Sequence, residues 1–296
     1  MKVIYFGFNE KFHSVKTIKE EALRLNWEFV FINVDNLFFY ENKLIYRQRL
    51  LDISQFNGAI VRCHDKVVDN TLIKKRISTY RLILFLRENS VPVVNGDFFA
   101  KNPFFDKFSQ YELFLKYNIP TIDTLHPVSQ NSKYLLKVIP WSFPIILKDV
   151  EGSFGLSVHK MSTEQDLVDY VAKNPDKSII LQEFIPTTCD YRVIVCAGKT
   201  IGAIKRSGTT SDWKHNFSQG ASIESYYDVK MFKFAENVAQ KLLCDYVGVD
   251  IIVDSNKRFR VIEINLSANF KGFQIAHSNK NIVQEILAGF HKSFSS

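Results

Sequence analysis

The chain opens on short apolar runs separated by stretches of helical periodicity. VIYFGF, WEFVFINV, GAIVRC and VPVVN have strand length, and between them Thr17–Leu25 and Leu72–Glu88 repeat apolar residues at helical spacing. That alternation predicts an α/β arrangement, a parallel sheet crossed by helices, over residues 1–95. The strand ends GFN and RCH would then border a ligand crevice. No GxGxxG follows the first strand, which argues against a dinucleotide fold, and no internal repeat is evident.

Beyond residue 95 the pattern changes. Asp106 can cap a helix over Lys107–Tyr117. FPIILKD reads as a buried strand, EGSFGLSV as a glycine-containing turn into a second strand, Thr163–Lys173 as a helix stopped at Asn174-Pro175, and SIILQEF as a third strand. This is an α+β unit spanning 96–183, and a further unit occupies 184–296. The last part reads as strands Tyr191–Ala197 and Thr200–Arg206 joined at Gly198-Lys199, a helix Val229–Cys244, the hairpin VGVDIIV–DSNKR–FRVIEIN, and a closing helix near Asn279–Phe290. Between them SGTTSDWKHNFSQGAS (207–222) is long and polar, the kind of loop that in compact domains carries function or disorder.

Composition narrows the class. The 296 residues are 46% hydrophobic, enough for one large core or several smaller ones, and the 26 Phe read as core material. No apolar stretch reaches the ~20 residues that span a bilayer, and MKVIYFGFNE reads as a buried strand rather than a signal peptide. A cytoplasmic protein with no membrane partner is expected. Cys63, Cys189, Cys196 and Cys244 lack CxxC spacing and read as reduced, half-buried apolar residues. A net charge of +7 suits anionic partners such as nucleotides or acidic peptides, without choosing among them. The histidines lack HExxH spacing and no GxSxG elbow is present, so zinc hydrolase and serine hydrolase chemistry are not indicated.

Several groupings could carry chemistry. Lys148 ends a strand just before EGSFG, where an ammonium and a turn's N–H groups could meet phosphate oxygens, with Gly152 and Gly155 removing bulk. Glu263 and Asn265 are two apart on a strand and share a face; a hairpin pairing Asp250 with Glu263 would bring three oxygen donors together, a set suited to Mg²⁺. The flanking positions, Val249, Ile251, Val261, Ile262 and Ile264, are apolar, and an unpaired buried carboxylate is costly, which points to a cation there. Arg192, Lys205 and Arg206, beside Asp190, could brace a triphosphate or a carboxylate under attack, or form surface ion pairs. LQEFI could present backbone groups to an adenine edge.

Taken in order, these features resemble the ATP-grasp superfamily, in its RimK-type glutamate-ligase group. The resemblance rests on FFDKFSQYELFLKYNIPTIDT, FPIILKDVEGSFGLSV, LQEFI followed by CDYRVIV, AIKR followed by HNFSQGA, then GVDIIV and VIEIN, and spans about residues 91–295. It implies an ATP-grasp fold: an N-terminal parallel-sheet domain, then two α+β subdomains that sandwich ATP. It also implies roles. Lys107 and Lys148 would bind the ATP phosphates, with the lid turn Gly152, Ser153, Gly155. Gln182, Glu183, Phe184 and Ile185 would line the adenine pocket, with Asp190 near the ribose. Arg192 and Arg206 would stabilise an acyl phosphate and its tetrahedral successor, and Asn216 would lie near the phosphates or the amine acceptor. Asp250, Glu263 and Asn265 would hold two Mg²⁺, with Mn²⁺ an allowed substitute.

The implied activity is ATP-dependent, ADP-forming ligation of a carboxylate to an amine through an acyl phosphate, on an amino acid, peptide or protein tail. This sequence departs from the family where the second substrate should sit: EINLSANFKGF lacks the usual Pro-Gly, and the family's Gly-Gly is Gly220-Ala221. Two alternatives stand beside it. One is a kinase of a polyol or inositol phosphate on the same fold, for which Arg62, His64 and Lys66 are the only hint of a basic cluster. The other is a non-catalytic nucleotide or nucleic-acid binder, which an intact Asp250, Glu263 and Asn265 set argues against. Nucleic acid is not the expected partner, and a homo-oligomer is left open.

Overall fold

A computed structural model describes residues 1–62, 72–103, 105–128, 132–150, 157–208 and 222–295. The first unit runs β1 (Lys2–Gly7), α1 (His13–Arg24), β2 (Glu28–Asn33), β3 (Leu37–Tyr40), β4 (Lys43–Tyr46), β5 (Arg49–Leu50), β6 (Gly58–Arg62) and α2 (Leu72–Glu88). Strands β2, β1 and β6 form the expected parallel sheet in that order. VPVVN, expected as a further strand, makes only a parallel bridge between Ala59 and Val93. Pro92 has no N–H to give a ladder; its carbonyl accepts from Ala59 N at 2.7 Å and pairing stops two residues later, where Val94 N donates to Ala59 O at 3.0 Å. The antiparallel meander β3-β4-β5, absent from the sequence reading, turns at Glu41-Asn42 and Arg47-Gln48, all four at positive φ (44° to 65°).

The second unit contains β7 (Thr124–Leu125), α5 (Ser132–Val138), β8 (Ile145–Asp149), β9 (Val158–Met161), α6 (Glu164–Lys173) and β10 (Ile179–Glu183). Its sheet is antiparallel in the order β7-β10-β8-β9. Alternate residues Ile145, Leu147, Ile179 and Leu181 pack with Leu167 and Val171 of α6. Ile146, Lys148, Ile180 and Gln182 therefore occupy the opposite face. Helix α6 starts on a capping box in which Thr163 and Asp166 bond each other's backbone N–H.

The third unit is built on β11 (Cys189–Cys196), β12 (Lys199–Ser207), β13 (Ser222–Tyr226), β14 (Tyr246–Val253) and β15 (Phe259–Asn265), antiparallel in the order β13-β12-β11-β14-β15. Helix α7 (Val229–Lys241) covers one face, and the helices 271–276 and 282–295 cover part of the other, the last starting later and running further than the sequence indicated. Phe98, Phe114 and Ile119, from the stretch 96–121, pack into this third core rather than the second. Thr121 extends that sheet by a parallel bridge to Val261, and Gln110 accepts from Ile264 N at 2.9 Å. Among the described residues no helix is long and apolar enough to cross a membrane, and Cys189, Cys196 and Cys244 are free thiols.

Asn95 fastens the first unit to the third. It is 1% exposed, in a left-handed conformation (φ 60°) that Asn tolerates better than most residues. Its amide donates to Tyr246 O at 2.8 Å and Leu266 O at 3.3 Å, and its Oδ1 accepts from Tyr246 N at 2.9 Å. Asn95→Ala strands these buried backbone groups and is expected to cost about 2–4 kcal/mol, read as a fall in the denaturant midpoint at unchanged m-value.

Candidate active site

Strand pairing gathers five of the sequence-flagged residues onto one face of the third sheet, in two neighbouring cross-strand lines. Asp190 lies opposite Arg206, Arg192 opposite Asp250, and Asp250 opposite Glu263. These five side chains share the face that α7 does not cover, because each strand's alternate residues (Val193, Ala203, Val249, Ile264) form the α7 core. Asn265 sits two residues along β15 from Glu263, on the same face, and its Oδ1 accepts from Ser267 N at 3.0 Å. A bulge between Asp250 and Ile251 lets Glu263 face its partner while Val261 returns to the core.

The charges are tightly paired. Arg192 grips Asp250 with two parallel bonds, Nε to Oδ1 and Nη2 to Oδ2, both 2.6 Å. Arg206 bridges both acids, with Nε 2.5 Å from Asp190 Oδ1 and Nη2 3.1 Å from Asp250 Oδ2. Burial works to raise the Asp250 carboxyl, but Arg192 and Arg206 outweigh it and hold it at about 2. At Asp190 burial wins over Arg206 and lifts the carboxyl above its ordinary range. A β-carbon at Gly248 would lie 2.7 Å from Ala268 Cβ, so glycine there lets the chain at Ala268 pack against the strand. The sequence pointed to a cation beside Asp250, and the structure places two guanidinium groups, those of Arg192 and Arg206, against it.

Lys148 faces this row from the second unit. It is 7% exposed, and burial lowers its pKa against the opposing pull of Glu263, Asp250 and Asp190. Lys148, Arg192 and Arg206 thus stand among three carboxylates, Asp190, Asp250 and Glu263, in a locally neutral cluster. Lys107, at the first position of α4 (Lys107–Lys116), sends its ammonium to Asp149 O at 2.8 Å and Val150 O at 3.4 Å, at the exit of β8. Lys148 and the polar row together offer both cations for an anionic substrate and all-oxygen donors (Asp250, Glu263, Asn265) that fit a hard divalent ion. Among the described residues no group of three or more His, Cys, Asp or Glu is placed to hold a metal, so an ion here would rely on the Asn265 amide.

Other predicted residues fall differently. Gln182 is buried on the cleft face of β10, its amide donating to Thr124 Oγ1 at 2.8 Å. Glu183 ends β10, and Phe184 and Ile185 begin the link from it into the third sheet. Lys205 is turned away from the row by strand alternation and pairs with Glu224 at 2.9 Å. Arg62 ends β6 and donates to Ser267 O, next to Asn265. Gly152, Ser153, Gly155 and Asn216, with His64, Lys66 and Gly220-Ala221, lie outside the described residues. The sequence reading passed over Lys160, whose ammonium lies 4.2 Å from the centre of the Phe184 ring on the cleft side of the second sheet. Only the strand register, which puts it beside Ile146, could have singled it out.

Residues 105–289 match the model of the RimK-like ATP-grasp domain. A protein of Mycoplasma genitalium, "Uncharacterized protein MG011", is 28% identical over 168 residues, 55% of this chain but only 58% of its own length. A "Probable alpha-L-glutamate ligase" of Legionella pneumophila is 25% identical over 99% of this chain and 96% of its own. Among solved structures, the ATP-grasp ligase PsnB complexed with its minimal precursor superposes with a TM-score of 0.75 at 17% identity, covering 98% of each chain. The macrocyclase MdnC of Microcystis aeruginosa MRC, bound to its precursor peptide MdnA, superposes with a TM-score of 0.71 at 15% identity over 97% of this chain and 98% of that one.

Proposed function

The chain belongs to the RimK-like ATP-grasp family, and from that premise we propose that it is an ATP-dependent, ADP-forming carboxylate–amine ligase acting on an amino acid, peptide or protein tail. The observation that carries this reading is the charged cluster Arg206, Asp190, Arg192, Asp250 and Glu263 on one face of the third sheet, with Lys148 of the second unit set against its carboxylates. Fixed cations in a site that excludes water are what transfer of a phosphoryl group to a carboxylate requires. The Legionella relative's name, probable alpha-L-glutamate ligase, and the precursor peptides held by PsnB and MdnC support amino-acid and peptide substrates.

In this reading Lys148 binds the triphosphate from the lid side, and Lys107 does so from the start of α4. Gln182 and the backbone of 183–185 receive the adenine. Arg192 and Arg206, locked by Asp190 and Asp250, hold the donor carboxylate and offset charge on the acyl phosphate and on the tetrahedral adduct made when the amine attacks. Asp250, Glu263 and Asn265 would hold Mg²⁺, as two ions, which would supply charge neutralisation on the phosphates. The middle unit (122–182) closes over the site and keeps water from the acyl phosphate. Asn216 is assigned to the phosphates or the amine-acceptor side, and Gly152, Ser153 and Gly155 to the phosphate-covering turn.

A phosphate-release screen over amino acids and acidic peptides tests the proposal, with Lys148→Ala as control. Release that needs both a carboxylate and an amine is the expected result. Stable transfer of phosphate to a hydroxyl acceptor would sink the ligase reading in favour of a kinase.

A further inference from the structure

Three residues stand in one cross-strand line on the cleft face of the second sheet. Ile146 of β8 lies opposite Gln182 on one side and opposite Lys160 on the other. The next line on that face holds Lys148, opposite Val158 and Ile180. The Lys148 line looks onto the charged row of the third sheet, so the Ile146 line lies farther out, beside the link to the third unit. Lys160 is partly exposed there. It leans across the line until its ammonium is 4.2 Å from the centre of the Phe184 ring, just beyond Gln182 and Glu183.

We infer that Lys160 is a specificity-determining residue of this site, which together with Gln182 reads the edge of adenine that carries N6 and N7. The inference rests on the ligase reading above, in that it takes ATP as the nucleotide. Its chemical basis is complementarity. That edge of adenine presents a donor, the N6 amino group, beside an acceptor, N7, whereas guanine presents two acceptors, O6 and N7. Gln182 spends its amide N–H₂ on Thr124 Oγ1 at 2.8 Å, which turns its carbonyl oxygen into the group offered to a ligand, an acceptor for N6–H. An ammonium has donors only, and Lys160 supplies one for N7. Ile146 between them provides an apolar floor for the ring. The acceptor–donor pair matches adenine and sets an oxygen against O6 of guanine. Phe184 holds the lysine in reach before nucleotide arrives, so less side-chain freedom is lost on binding.

The test compares ATP, GTP and 7-deaza-ATP, which lacks the N7 acceptor, as substrates and as ligands in thermal-shift titration. Wild type, Lys160→Met and Lys160→Arg are the three proteins. Wild type is expected to favour ATP over 7-deaza-ATP by about tenfold in KM, the size of one charge-assisted hydrogen bond, with kcat little changed. Lys160→Met is expected to lose that difference, and Lys160→Arg to retain most of it. A structural role for Lys160 would weaken all three nucleotides alike, and equal discrimination by wild type and Lys160→Met overturns the inference while leaving the ligase reading standing. Failure of wild type to bind or turn over ATP at all would instead strike the ligase reading.

Discussion

Lys148→Met is expected to abolish most activity without weakening the nucleotide-free fold. Removing a fixed cation aimed at developing charge typically costs 10²–10³-fold in rate, roughly 3–4 kcal/mol of transition-state stabilisation, and ATP-dependent phosphate release should fall by about that factor. Stability should move the other way or not at all. Lys148 is 7% exposed, and burial lowers its pKa more than Glu263, Asp250 and Asp190 raise it. The charged form is therefore net disfavoured where it stands, and a methionine of similar length relieves that cost while keeping the packing against the strand neighbours Val158 and Ile180. The function of the charge appears when a polyanion arrives. Wild type at a hundredfold excess of nucleotide over Kd should gain about 2.7 kcal/mol, and Lys148→Met should gain far less. A variant that melted well below wild type without nucleotide, yet kept the nucleotide-induced shift, would assign Lys148 a structural role.

How far such a site can be read from sequence depends on how local its geometry is. The closing hairpin was legible because strand alternation alone puts Glu263 and Asn265 on one face, and a short connection sets Asp250 against Glu263. Asp106 before α4 acts as the cap its position suggests, whereas Thr163, read as the first residue of its helix, is the N-cap of α6. The partners of Asp250 were not legible. Arg192 is 58 residues away on a strand that joins β14 only through the sheet order β12-β11-β14, so the balancing charges could not be counted. Lys205 and Arg206 looked equivalent in sequence, but only one of two adjacent strand residues can face Asp190, and register decides which. The meander β3-β5 stayed hidden for a different reason. Its turns use Glu41-Asn42 and Arg47-Gln48 at positive φ, where Asn-Gly or Gly-containing pairs are the recognisable signal. Lys160 needed both register and the direction of a long, flexible side chain, neither of which the sequence carries.

The charge pairing around Asp250 makes a sharper prediction than loss of activity. Asp250→Asn should destabilise the protein by about 3–5 kcal/mol, because it leaves Arg192 without its bidentate partner and Arg206 with one acid instead of two in a buried setting. Arg192→Met should cost a similar amount for the mirror reason. The double variant Arg192→Met/Asp250→Asn removes one charge of each sign and leaves Arg206 paired with Asp190 at 2.5 Å, so it should regain much of the stability lost by either single variant. It should regain none of the activity, since a proposed metal ligand and a proposed acyl-phosphate cation are then both gone. Acid titration adds an independent check. Asp250 is held at about 2, below its ordinary 3.8, so its contribution is complete above the unfolded value and is lost as pH falls through about 2. Asp190, raised by burial, works in the opposite sense, and the comparison must be made between wild type and Asp250→Asn: their stability difference should shrink as the solution is acidified through that window. Additive losses in the double variant would mean that the two side chains contribute separately, and that the polar row is a set of independent contacts rather than one balanced unit.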